Sequence, residues 1–208
     1  MPTRRCWRVL PCARYASRVR RHLSAAAAER AESRSLRFHG MRVVSIDPAI
    51  RNTGYAVLDG DYRSPRALEY GTLSLPARLS QSECLLAIHE HVCSLIERWQ
   101  PQELAIEGII YVQSHRTAIA MGSARGAVVL AAARHELPIM EYPPSCVKLA
   151  TVGRGSARKE QVAFMMRALL QLTETPAADA ADALAIGYSH LVATDPLRAH
   201  LFRERKYI

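Results

Sequence analysis

The first part of the folded region contains three short runs of strand-forming residues, the first of them β-branched and the third alternating between apolar and polar positions. The runs are 42–47, 53–58 and 67–75, with Pro48 after the first and Asp59-Gly60 after the second. Short runs of this kind, bounded by turn-forming residues, are typical of β-strands joined in sequence. The pattern therefore predicts three consecutive strands, and it places Asp47 at the carboxyl end of the first one.

From residue 80 onwards, apolar residues recur mainly at helical spacing, and two short apolar runs interrupt the helices. We predict helices over 80–99, 114–135, 158–172 and 177–192, and strands over 103–107 and 137–142. Ser80 or Ser82 can cap the first helix. Three strands followed by alternating helices and strands predict an α/β fold, in which helices cover both faces of a mixed five-stranded sheet.

The first 40 residues differ from the rest in charge. They contain ten arginines and two acidic residues, whereas the remaining chain has 18 basic and 17 acidic residues. The net charge of +9 therefore comes mainly from this segment and does not by itself indicate a nucleic-acid partner for the folded region. No uncharged run of 18 apolar residues is present, so a membrane-spanning helix is not expected.

Three origins of this Arg-rich segment stay open: an organellar transit peptide, a disordered basic arm, or sequence translated upstream of a true start at Met41. Only the first would direct the protein to an organelle. The strand pattern that begins at Met41 favours the third. We therefore expect an N-terminal extension over 1–40, a folded domain over 41–192 and a C-terminal tail over 193–208.

Four acidic residues lie where the predicted pattern brings elements together. Asp47 and Glu107 end the first and fourth strands, and Asp179 and Asp182 share a face at the start of the last helix. Sites in open α/β sheets lie beyond the carboxyl ends of strands. Clustered carboxylates repel one another unless a cation such as Mg²⁺ or Mn²⁺ neutralises them. From spacing alone, turn formation by Asp47 and helix-dipole interactions of Asp179 and Asp182 remain alternatives.

The motifs that contain these acids resemble those of a known family. They are Ile46-Asp47-Pro48 with Thr53-Gly54-Tyr55, Ala105-Ile106-Glu107, Gly153-x-Gly155-Ser156-Ala157-x-Lys159, and Ala178-Asp179-Ala180-Ala181-Asp182-Ala183-Leu184-Ala185. In this order, over residues 41–190, they resemble the RuvC family of bacterial Holliday junction resolvases. The resemblance implies a ribonuclease-H-like fold and makes Asp47, Glu107, Asp179 and Asp182 the catalytic, metal-binding set.

The resemblance also implies an activity and its partners. A homodimer would cut four-way DNA junctions by symmetric nicking of two opposed strands during homologous recombination and repair. It would use Mg²⁺, with two ions per subunit, and Mn²⁺ as a substitute. A bacterial, cytoplasmic location and a RuvA–RuvB branch-migration complex as partner are implied as well. The resemblance favours the helix over 114–135 as the dimer interface. Its small residues Gly122 and Gly126 would permit close approach of a second helix, although packing on the sheet would also explain them.

Several basic residues are candidates for DNA contacts. Lys148 and Lys159 match positions that contact DNA in the family, and Arg154 and Arg158 add charge nearby. We expect Ser156 to cap the helix that contains Lys159, whose free backbone N–H groups would suit a phosphate. The alternative is a solvated basic helix start.

The chain departs from the family pattern at a few positions. Ser45, Ala49 and Ala56 stand where the family usually has glycine, and Ile110 stands where the family commonly has an aromatic residue that stacks on a junction base. Tyr111 follows directly, and it either takes over the stacking or packs in the core.

Two other functions are compatible with parts of this pattern. A related nuclease could act on structured RNA such as a ribosomal RNA precursor, or the protein could bind junctions without cutting them. The presence of all four acids counts against the second alternative.

Overall fold

The computed structural model describes residues 40–109 and 114–208. Predictions about the extension over 1–40 and about Ile110 and Tyr111 therefore lie outside the described residues, Gly40 excepted.

One mixed sheet of six strands forms the centre of the fold. The strands are β1 Met41–Asp47, β2 Asn52–Gly60, β3 Arg66–Ser74, β4 Glu103–Glu107, β5 Ile139–Tyr142 and β6 Lys206–Tyr207, in the spatial order β3-β2-β1-β4-β5-β6. The first three pair antiparallel, as expected for strands joined in sequence. β1, β4 and β5 run parallel, so their carboxyl ends share one edge of the sheet.

Helices cover both faces of this sheet, as the sequence predicts. They are α1 Gln81–Trp99, α2 His115–Arg134, α3 Pro144–Val152, α4 Lys159–Leu169 and α5 Ala178–Thr194, with a 3-10 turn at Ala199–Phe202. α1 and α2 bury one apolar cluster with Val44, Ile46 and Ile106 of the sheet. α5 lies on the other face, where α3 and α4 pack against it. No helix within the described ranges is long and apolar enough to span a bilayer.

The structure corrects two details of the predicted element order. A sixth strand, β6, pairs antiparallel with β5, so the sheet has six strands rather than five. It has only two residues, too few to show alternation in the sequence. Helix α3 is absent from the predicted elements, because two consecutive prolines, Pro143 and Pro144, favour the end of the strand before them and not the start of a helix. Pro144 is in fact the first residue of α3, where a missing N–H costs no helical hydrogen bond.

Helix α5 packs on β1 and β2 at very short range. It is rich in alanine, and its residues from Ala183 to Ala193 are all buried. Gly54 of β2 lies under its first turn: a Cβ atom at Gly54 would be 2.0 Å from the carbonyl oxygen of Asp179. Only glycine leaves room for this contact. The start of α5 is thus fixed directly above the strand that pairs with β1.

Candidate active site

Asp47 and Glu107 lie side by side at the carboxyl edge of the sheet. β1 and β4 pair in parallel up to Ile46 and Ile106, so the next residue of each strand is one of these two acids. Residues of a strand alternate between faces. Ser45 and Ala105 lie on the α5 face, and Asp47 and Glu107 therefore point to that face too.

The start of α5 brings two more carboxylates to this edge. Gly54, beneath the carbonyl of Asp179, is the residue of β2 that pairs with Asp47. The charges of Asp182 and Asp179 both raise the pKa of Asp47, which shows that the two elements place their acids within electrostatic range. The structure thus brings all four predicted site acids to one region.

The carboxyl groups of Asp47 and Glu107 are strongly perturbed. Burial, followed by the charge of Asp182, raises the pKa of Asp47 from 3.8 to about 6. Burial, followed by the charges of Asp47 and Asp182, raises the pKa of Glu107 from 4.5 to about 7. Both shifts have the same origin: negative charges are gathered in a place with little water to screen them. Such groups favour any ligand that supplies positive charge.

A lysine supplies part of that charge. Lys159, the first residue of α4, donates a hydrogen bond of 2.8 Å from its Nζ to Oδ2 of Asp182. This bond raises the pKa of Lys159, and the positive charge lowers the pKa of Asp47 and Glu107. Lys148 of α3 also lowers the pKa of Glu107. Two of the predicted DNA contacts are therefore close enough to influence the acids electrostatically.

The donor set suits a hard divalent cation. Four carboxylates supply oxygen ligands, and the raised pKa values of Asp47 and Glu107 show that their charge is incompletely compensated. Among residues 40–109 and 114–208, no three His, Cys, Asp or Glu side chains converge tightly enough to hold one ion in this arrangement. The assignment of the four acids as metal ligands stays a prediction.

The basic segment before α4 differs from the predicted geometry in one respect. The helix begins at Lys159 and its N-cap is Arg158, so Ser156 lies too early in the chain to cap it. Oε1 of Gln161 accepts a hydrogen bond of 2.9 Å from the backbone N–H of Arg158 instead. Arg154 and Arg158 are exposed, as DNA contacts need to be.

Arg125 of α2 contacts the site but is not among the residues predicted from the sequence. Its Nη1 donates a hydrogen bond of 3.1 Å to the backbone carbonyl of Glu107, and its Nη2 pairs with the carboxylate of Glu141 on β5. A signal was available, because Arg125 is the single charged residue in the otherwise uncharged run 117–133. Charge in such a run requires a partner when the helix packs on a sheet.

Comparison with known proteins identifies the family. Residues 43–190 match the family model described as "Crossover junction endodeoxyribonuclease RuvC". The chain belongs to the RuvC family. The RuvC of Akkermansia muciniphila is 66% identical over 168 residues, which cover 81% of this chain and 100% of that protein. The RuvC of Magnetococcus marinus is 44% identical over 151 residues, covering 73% and 84%.

A solved RuvC structure supports the same conclusion. "T. thermophilus RuvC in complex with Holliday junction substrate" superimposes with a TM-score of 0.72 at 31% identity, covering 81% of this chain and 99% of that chain. The predicted family, ribonuclease-H-like fold and enzyme class are confirmed. This protein is a metal-dependent endonuclease that resolves Holliday junctions, and neither the RNA nuclease nor the non-catalytic binding protein is favoured.

Proposed function

We propose that Asp47, Glu107, Asp179 and Asp182 form the catalytic centre of this protein and hold two Mg²⁺ ions, which Mn²⁺ can replace. The observation that supports the proposal is the position of Asp47 and Glu107 directly after the paired residues Ile46 and Ile106 of adjacent parallel strands, where burial and the charge of Asp47 raise the pKa of Glu107. When bound, two such ions activate a water molecule and stabilise the leaving oxygen of a phosphodiester.

The other roles, which are positioning the acids and contacting the DNA backbone, belong to different parts of the chain. Asp47 and Glu107 are held by strand pairing, and Asp179 and Asp182 by the close contact of α5 with Gly54. Lys159 and Lys148 lie on the same side as the acids and are placed to contact the phosphates next to the scissile bond. Arg154 and Arg158 extend the basic surface and contact the backbone further along the strand.

We propose a homodimer that uses the outer face of α2. Ile119 and Leu130 are 68% and 61% exposed, and Gly122 and Gly126 lie between them with open space beside them. These residues recur at helical spacing, so they form one apolar stripe that a second copy would cover. A two-fold dimer presents two equal sites to a junction of approximate two-fold symmetry, which suits symmetric nicking.

We propose that this protein works in the bacterial cytoplasm with a RuvA–RuvB branch-migration complex, during homologous recombination and repair. Membership of the RuvC family supports this proposal. The residue that would stack on a junction base is Tyr111 or Ile110.

A cleavage assay tests the proposed site. The substrates are a mobile synthetic four-way junction, a linear duplex, a flap and a precursor ribosomal RNA, each with Mg²⁺, Mn²⁺ or EDTA. We expect paired, symmetric nicks in the junction, dependence on either metal, and little cutting of the other substrates. Metal-dependent junction cleavage that survives in Asp47→Asn or Glu107→Gln would refute the proposed catalytic set.

A further inference from the structure

The carboxyl end of β4 is held from the α2 side of the sheet by a pair of charged residues. The guanidinium of Arg125 lies between the backbone carbonyl of Glu107 and the carboxylate of Glu141. The side chains of Arg125 and Glu141 are only 16% and 15% exposed. An ion pair so shielded from water has a defined geometry, unlike most pairs on a protein surface.

Glu141 reaches this position from the neighbouring strand. It is paired with Ile106 across β4 and β5, so its side chain lies on the α2 face of the sheet. Oε1 of the carboxylate accepts from Nζ of Lys206 at 3.0 Å. The same oxygen lies against Gly108, where a Cβ atom would be 3.1 Å away. Glu141 therefore contacts the residue that immediately follows Glu107.

These contacts act on the backbone of Glu107 from the face opposite its carboxylate. The Glu107 side chain points toward α5 and the other acids, whereas its carbonyl oxygen accepts from Arg125. On the next residue, the N–H of Gly108 donates to the carbonyl of Tyr142 at 2.8 Å. The Glu107 carbonyl and the Gly108 N–H belong to the same peptide group, so the two bonds hold that one peptide plane from opposite edges, directly after the Cα of Glu107.

We propose that Arg125 and Glu141 are positioning residues that set the direction of the Glu107 carboxylate. The inference rests on the proposed role of Glu107 as a metal ligand. β4 is only five residues long, so its last residue has little strand beyond it to hold its orientation. The planar guanidinium can donate to two acceptors in a fixed geometry, which the single ammonium of a lysine does not reproduce.

The test compares Arg125→Lys and Glu141→Gln in the full-length protein. The measured quantities are the single-turnover cleavage rate at saturating enzyme as Mg²⁺ is varied, the junction Kd in Ca²⁺, and the rise in Tm that Mg²⁺ causes without DNA. Matched controls are Arg98→Lys and Glu69→Gln, the same substitutions in the ion pair that joins α1 to β3 at 3.0 Å.

We expect both positioning variants to need about tenfold more Mg²⁺ for half-maximal rate, in the range typical of residues that orient metal ligands. The Mg²⁺-dependent rise in Tm should shift to higher Mg²⁺ in parallel, junction affinity should stay unchanged, and the control variants should match the parent protein. High Mg²⁺ should restore most of the rate.

An unchanged Mg²⁺ requirement in both variants, with only a lower Tm, would show that the pair is purely structural and overturn the inference. Glu141→Gln keeps the volume of the side chain, so it decides the question if Arg125→Lys does not fold. The variant Glu107→Gln distinguishes a failure of the proposed catalytic site from a failure of the inference about Arg125 and Glu141. If that variant still cuts, the proposed site fails; if it is inactive while the positioning variants behave like the parent, only the inference fails.

Discussion

The hydroxyl of Ser45 lies where a side chain at position 187 would have to go. A Cβ atom at Gly187 would be 2.6 Å from Oγ of Ser45, which donates a hydrogen bond of 2.8 Å to the carbonyl of Ala183. Ser45 is two residues before Asp47, and Ala183 directly follows Asp182. The hydrogen bond between Ser45 and Ala183 therefore joins β1 to α5 close to the candidate ligands Asp47 and Asp182. The absence of a side chain at Gly187 leaves room for Ser45, at a position where the family usually has glycine.

A double-mutant cycle tests this relationship. Gly187→Ala should lower the free energy of unfolding by about 1–3 kcal/mol, because the added methyl group overlaps Ser45 and Leu58. Ser45→Gly removes one of these overlaps, so the double variant should be more stable than the sum of the single effects predicts. Urea unfolding of the four proteins measures the coupling. Strictly additive losses would show that the two residues do not compete for space.

Removal of any one candidate ligand should abolish cleavage and leave binding intact. We expect Asp47→Asn, Glu107→Gln and Asp179→Asn to lower the single-turnover rate by more than about a hundredfold, beyond the usual effect of residues that merely orient ligands. Junction affinity should change little, since basic residues contact the phosphates. The measurements are cleavage and gel-shift titration on the same preparations. A variant that binds poorly but cuts at the parent rate once saturated would point to a DNA-contact role instead.

The raised pKa values predict how stability depends on pH. The folded-state pKa values of Asp47 and Glu107 are about 6 and about 7, above the ordinary 3.8 and 4.5. Between about pH 4 and 7 the folded state therefore binds more protons than the unfolded state, and stability falls as pH rises. Each group should cost on the order of 1–3 kcal/mol above pH 7 in EDTA.

The variant Asp47→Asn isolates this effect. In EDTA it should lose less stability than the parent between pH 5 and pH 7.5, and it should be the more stable protein at pH 7.5. Added Mg²⁺ should stabilise the parent at pH 7.5 and have a smaller effect at pH 5, where protons compete for the same oxygens. Unfolding curves at the two pH values provide the comparison. Identical pH dependence in parent and variant would show that the pKa of Asp47 is not raised in the folded state.

If the outer face of α2 is the dimer interface, a substitution there should prevent dimerisation without unfolding the subunit. Gly126 has open space around its Cα, so Gly126→Glu should not disturb the subunit itself. It should place charge in the apolar stripe between Ile119 and Leu130 and favour monomers. Sedimentation velocity measures the change, with Ser94→Glu on the exposed side of α1 as control. A dimeric Gly126→Glu protein would place the interface elsewhere.

The last prediction concerns which residue after β4, Tyr111 or Ile110, stacks on a junction base. If Tyr111 stacks on a junction base, Tyr111→Ala should lose on the order of 1–3 kcal/mol of stacking, seen mainly in cleavage. Thermal stability of the same variant should remain near that of the parent. Ile110→Ala serves as the comparison. Lower stability with normal cleavage per folded molecule would identify Tyr111 as a core residue and leave Ile110 as the stacking residue.

Periodicity predicted the elements whose faces are buried, and it missed those defined by contacts distant in sequence. β1 and β4 are short, mainly apolar runs that each end at an acidic residue, so the sequence predicts the ends of both strands, and with them the positions of Asp47 and Glu107. β6 forms only because β5 offers a free edge, which no local pattern encodes. Ser156 was expected to cap α4 from its residue type, but the helix begins later, where Gln161 accepts the Arg158 N–H.

The bond between Lys159 and Asp182 gives the Lys159 ammonium group two competing partners, the carboxylate of Asp182 and a DNA phosphate. If Asp182 is a metal ligand, a divalent ion bound there would neutralise this carboxylate and leave Lys159 available to a phosphate. Metal and junction would then favour each other's binding, and by thermodynamic reciprocity each would raise the affinity of the other by the same factor. Such coupling would make the protein hold its metal more weakly alone than on a junction, and it would limit phosphodiester hydrolysis to the DNA-bound state.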